Sequence, residues 1–259
     1  MSKLYNFFKQ ISTDKKKMTK SSTGKDFEEQ IKQKMSSSGF IYYTKGNDKT
    51  LDKYIQEIKP LIQAKLNHSI IPNKLAIKDP VKYSNIIYPQ PYGKQDFPDF
   101  LVFTEYQIYS LEIKYSTSDS KKPMWNSNLP KKDGLYIFGC YGCKDITFFK
   151  GEDVLPEKER EIITSFWNKT DNIFENWEKE FKMKIKDNSI GNNYGFEPYI
   201  RKAYSQSKNN NDNAIIDFFE NKNRSTLEEN VFKFIEDTDK PETSETNKEN
   251  NQEENDLKE

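Results

Sequence analysis

Apolar residues recur along this chain with two periods, and the change from one to the other marks out its elements. Phe27, Ile31 and Met35 stand four residues apart behind Ser22 and Thr23, which predicts a hydroxyl-capped helix ended by Ser36 to Gly39. Phe40 to Thr44 then reads as a strand. Leu51, Tyr54, Ile55, Ile58, Leu61 and Ile62 form a second helical stripe over Leu51 to Leu66, with Pro60 as a point of kinking or division. Turn residues crowd the stretch 67–98, where short strands are expected at Leu75 to Ile77 and Asn85 to Tyr88. Beyond it the period shortens. Phe100 to Phe103 is a compact apolar strand, Thr104 to Tyr106 turns, and Gln107 to Tyr115 alternates, so the two predict a hairpin.

Leu135 to Phe138 and Ile146 to Phe149 predict two further strands. From Glu157 to Phe181 the helical period returns through Ile162, Ile163, Phe166, Trp167, Ile173, Phe174, Trp177 and Phe181, a face whose aromatics are expected to pack on the core. Asn188 to Asn193 breaks the pattern. A weaker element follows at Phe196 to Tyr204, and helical pieces are expected at Ala214 to Phe219 and Thr226 to Ile235. The chain is thus expected to be an α/β protein. A flexible basic segment, 1–21, precedes a core over 22–155; a helical part, 156–235, packs on that core, and 236–259 is a disordered acidic tail.

Charge sharpens this division. The 259 residues sum to zero, but from Glu236 onward ten acids meet three bases, so a tail of −7 leaves the rest at +7. A basic body suits a polyanion partner. No apolar run of about 18 residues and no leader-like start appear, which makes a cytoplasmic protein without membrane contact the expectation. Cys140 and Cys143 form a single Cys-x-x-Cys, too few ligands for a structural zinc, and are expected to be ordinary thiols. His68 is the only histidine; it is read as a surface or packing residue, and its isolation removes histidine-pair chemistry.

The reactive groups gather at the hairpin. On an alternating strand Ser110, Glu112 and Lys114 share one face, opposite Tyr109, Leu111, Ile113 and Tyr115. Asp99 stands just before the partner strand, so hairpin pairing brings its carboxylate toward Glu112. Two adjacent carboxylates repel, and a hard divalent cation that accepts oxygen ligands relieves the repulsion. Mg2+ held by Asp99 and Glu112, with the Ile113 carbonyl as a further ligand, suits phosphodiester hydrolysis; Lys114 would orient the attacking water.

Pro98-Asp99, twelve intervening residues and Glu112-Ile113-Lys114 resemble the signature of the PD-(D/E)xK nuclease superfamily, and the surrounding residues resemble its type II restriction endonucleases. The resemblance covers roughly residues 22–150 and implies a restriction-endonuclease-like core, a mixed central sheet flanked by helices, with Asp99, Glu112 and Lys114 catalytic. It also implies a glutamate on the preceding helix, where Glu28 stands. Ser116 matches the small hydroxyl residue that relatives often carry two positions past the lysine. The loop beyond it offers Lys121, Lys122, Trp125, Asn126, Asn128 and Lys131 as candidate DNA contacts.

The function so implied is sequence-specific, Mg2+-dependent cleavage of double-stranded DNA that leaves 5′-phosphate ends. A homodimer would cut both strands, and a companion methyltransferase would act on the same site. The alternatives are a structure-selective repair or recombination nuclease and a non-catalytic DNA-binding protein of the same fold.

Overall fold

The computed structural model describes residues 2–18, 23–64, 70–125, 129–186 and 218–241. The chain opens with α1 (Lys3–Met18) and α2 (Gly24–Ser37), followed by β1 (Ile41–Tyr42), α3 (Lys49–Ile62) and β2 (Ile71–Pro72). Two short helices, α4 (Lys74–Lys78) and α5 (Pro80–Tyr83), lead into β3 (Ile86–Pro89), β4 (Phe100–Phe103) and β5 (Gln107–Ser116). Then come β6 (Leu135–Cys140), β7 (Asp145–Lys150), α6 (Gly151–Val154), α7 (Glu157–Lys186) and α8 (Asn221–Thr238).

One mixed sheet organises these elements in the order β1-β3-β4-β5-β6-β7, with β2 pairing to the beginning of β5. β1 is parallel to β3, the strands β3, β4 and β5 run antiparallel in succession, β5 and β6 are parallel, and β7 returns antiparallel. Strand alternation divides the core between the two sides of the sheet. Phe100, Val102, Tyr109, Leu111, Ile137 and Phe148 face α1, α2 and α8 in one cluster. Leu101, Phe103, Ile108, Tyr136, Phe138 and Phe149 join α3 in the other.

The stripes read from sequence account for two helices directly. Thr23 caps α2 by accepting the Asp26 N–H, and Phe27, Ile31 and Met35 are buried. Asp48 caps α3, whose Leu51, Ile55, Ile58 and Ile62 are buried; Pro60 lies inside that helix without dividing it.

Elsewhere the structure corrects the expectation. Residues 3–18 are helical rather than flexible, because Leu4, Phe7, Phe8 and Ile11 are spaced as one helical face and are fully buried. Leu75 to Ile77 is helix, not strand: the Asn73 side chain accepts the Ala76 N–H and starts a turn. Cys140 and Cys143 are joined in a disulfide rather than standing as thiols. α8 begins before Thr226 and continues past residue 235, so the tail boundary expected at 236 falls inside a helix. The aromatic stripe of α7 is largely solvent-facing instead of core. The start of this helix is tied down by Arg160, whose guanidinium donates to the carbonyls of Pro130, Gly151 and Leu155.

No described helix is long and apolar enough to cross a membrane. The elements expected at 196–204 and in most of 214–219, His68, and the acidic tail from residue 242 lie outside the described residues.

Candidate active site

Antiparallel register is what assembles the site. Phe100 pairs with Leu111, so one step outward Asp99 stands opposite Glu112 on the same face of the hairpin. Side chain and backbone then bond across the pair. The Asp99 N–H donates to Glu112 Oε2 at 3.1 Å, and the Ile113 N–H donates to Asp99 Oδ2 at 2.7 Å. Lys114 Nζ reaches Glu112 Oε1 at 2.7 Å. The three residues expected to act together are therefore together, and Ile113 meets the carboxylate through its main chain.

Electrostatics mark Asp99. Burial, followed by the charge of Glu112, pushes its carboxyl up to about 7, although the Ile113 N–H and Lys114 favour the ionised form. Glu28 adds a smaller push in the same direction, so α2 brings it within electrostatic reach. Its direct partner is Lys32, at 3.0 Å, and Glu28 does not join the hydrogen-bonded cluster.

The neighbouring strand and loop wall the site. Glu112 pairs in register with Tyr136 of β6, whose phenol is raised by burial and by the charge of Glu112. Trp125 stands edge-on to Tyr136 at 5.0 Å, and Lys114 Nζ lies 5.4 Å from the centre of its indole ring. Sequence reasoning overlooked Tyr136. Its signal was a phenol within an aliphatic and aromatic strand, at the position that pairs with Glu112.

Two expected DNA contacts are corrected. Trp125 is 4% exposed and packs on Tyr136 and Phe149, which leaves no face for an external base. Lys131 is buried, and its Nζ donates to the carbonyls of Gln63 and Ala64 at 3.1 and 2.7 Å, so it ties down the end of α3 instead of meeting phosphate. Ser116 is half-buried and bonds to Ser118. Lys121 is exposed and Lys122 half-buried, while Asn126 and Asn128 lie outside the described residues.

Among the described residues no group of three or more His, Cys, Asp or Glu side chains is arranged to hold a metal ion. The cluster instead offers two carboxylates. Magnesium asks for no more than one or two, because it keeps waters and substrate oxygens in its remaining positions. The donors are hard oxygens, and the raised Asp99 carboxyl marks burial first and the charge of Glu112 second, which the Ile113 N–H and Lys114 together do not cancel. Comparisons with protein-family models, with curated proteins and with solved structures return no match for this chain.

Proposed function

We propose that the chain is a magnesium-dependent type II restriction endonuclease, built on a restriction-endonuclease-like core, that hydrolyses phosphodiester bonds of double-stranded DNA at a specific sequence. One observation carries this reading. Asp99 and Glu112 meet across a hairpin, each held by a backbone N–H, with Lys114 on the outer oxygen of Glu112.

Asp99 and Glu112 would hold the ion, with the main chain at Ile113 as a further ligand. When bound, Mg2+ supplies positive charge for the phosphate oxygens and a lowered pKa for a coordinated water. The residues of the chain do the positioning. Lys114, steadied by Glu112 and by the Trp125 ring, would orient the water that attacks phosphorus and face the charge that grows on the phosphate oxygens. Breaking the bond from phosphorus to the 3′ oxygen leaves a 5′-phosphate and a 3′-hydroxyl.

The loop 116–124, with exposed Lys121, leaves the strand immediately after Lys114 and would lie along the DNA backbone. A homodimer would set one centre on each strand, and a companion methyltransferase would protect the same sequence in the host's DNA.

Digestion of DNA of known sequence, in Mg2+ and in chelator, with both fragment ends mapped, tests the proposal. Discrete metal-dependent ends bearing 5′-phosphates are expected. Cleavage only at junctions or damaged sites would move the reading to a structure-selective nuclease, and binding without cleavage would reject catalysis.

A further inference from the structure

The 30-residue helix α7 is about 45 Å long, and it carries an apolar stripe outward. Ile162, Phe166, Ile173 and Trp177 are 64, 65, 68 and 44% exposed. At 100° per residue these four fall within about 60° of one another, so they form one face. Monomeric proteins seldom leave such a contiguous face open to water.

The spacing of this face identifies its occupant. The intervals from Ile162 to Phe166, Ile173 and Trp177 are four, seven and four, a series that reads the same from either end. A helix with such a face matches a second copy of itself running the opposite way: Ile162 lies opposite Trp177, and Phe166 opposite Ile173, about a twofold axis between Lys169 and Thr170. Extending the register sets exposed Met183 against exposed Pro156. Charge agrees with this direction. Residues 157–161 carry three acids against Lys158 and the buried Arg160, while residues 178–184 carry three lysines against two glutamates. Glu180, which falls opposite Glu159, is already neutralised by Lys184 at 2.6 Å. The exposed apolar side chains amount to on the order of 600 Å² per chain, most of the roughly 800 Å² that each partner contributes to a standard interface.

We infer that α7 is a homodimerisation helix, pairing antiparallel with α7 of a second copy through Ile162, Phe166, Ile173 and Trp177. The inference does not depend on the nuclease reading, and its test needs no cleavage.

Sedimentation of the full chain at roughly 100 µM should give twice the mass of the chain, and Phe166→Asp with Ile173→Asp should give the single mass with an unchanged circular dichroism spectrum. Register is tested by mixing chains bearing Phe166→Cys with chains bearing Ile173→Cys under mild oxidation. The mixture should cross-link, and each variant alone should cross-link far less. A monomeric wild type would overturn the inference and leave the stripe to another segment of this chain or to a different protein. A dimer that survives the double aspartate variant, or cross-linking of Phe166→Cys with itself in preference to Ile173→Cys, would overturn it as well.

Discussion

Asp99 and Glu112 hold one another's strands by exchange: Glu112 takes the N–H of Asp99, and the Asp99 carboxylate takes the N–H of the residue that follows Glu112. Each acid fixes the backbone that carries the other. This geometry brings two negative groups together inside a partly desolvated hairpin, and the strain of doing so appears as the raised Asp99 carboxyl.

A pH dependence of stability follows. An unfolded aspartate ionises near pH 3.9, whereas folded Asp99 keeps its proton to about 7. Between those values the folded chain binds a proton that the unfolded chain has lost. Stability therefore falls as pH rises through this window and levels off above it. Asp99→Asn removes the titration and keeps an oxygen for the Ile113 N–H. Thermal melts without metal should show the variant more stable than wild type at pH 8, by no more than about 4 kcal/mol, and equal to it near pH 4. A wild type that gains stability from pH 4 to 7 relative to this variant would contradict the assignment.

Magnesium should reverse that penalty. At ten times its dissociation constant, an ion bound only by the folded chain adds about 1.4 kcal/mol, or roughly 3–6 °C for a chain of this size. The shift should be present at pH 8 and shrink below pH 7, where a proton on Asp99 competes with the ion. It should be absent in Asp99→Asn. An equal Mg2+ shift in wild type and variant at pH 8 would locate the ion elsewhere.

On the proposed reading Lys114 would serve the chemistry more than the fold: its half-buried side chain meets Glu112 at 2.7 Å and lies over the Trp125 ring. Lys114→Ala should lower single-turnover cleavage by 10³-fold or more, on the order of 4 kcal/mol of transition-state stabilisation, and change duplex affinity only a few-fold. Lys114→Met, which keeps the stem against Trp125 but not the charge, should be as inactive. Cleavage retained within about tenfold by either variant would remove Lys114 from the mechanism.

The hairpin and its cluster were legible because a strand's period of two assigns side chains to faces without reference to the rest of the molecule. Glu112 and Lys114 fall on the α3 side of the sheet, Leu111 on the α1 and α2 side, as alternation requires. What was not legible depends on contacts between distant segments. Lys131 looked like a surface cation until the end of α3 supplied two carbonyls to hold it, and Trp125 looked like a base contact until β6 supplied Tyr136 as its neighbour. α1 and α7 show the limit of helical periodicity. Each has an apolar face, but a stripe states only that something covers it: in α1 the sheet does, through Phe8 on Phe148, and in α7 the described core does not.

A glycine outside the Asp99, Glu112 and Lys114 cluster also bears on the site. Gly139 of β6 lies under the stacked pair Phe27 and Tyr115, whose ring centres are 4.7 Å apart and which join α2, next to Glu28, to β5, next to Lys114. A Cβ at residue 139 would stand 2.7 Å from Phe27 Cζ and 2.8 Å from Tyr115 Cδ2, so both rings must retreat. Gly139→Ala should cost about 1–3 kcal/mol by overpacking, read as a lowered midpoint in urea with an unchanged slope. Because Tyr115 is bonded to Lys114, the shift should also lower the cleavage rate more than it lowers duplex affinity. Phe27→Leu added to Gly139→Ala removes ring atoms where the methyl enters and should restore part of both losses. Failure of this second substitution to recover stability, while Gly139→Ala alone remains destabilised, would mean that the strand itself and not the Phe27–Tyr115 stack is what the methyl disturbs.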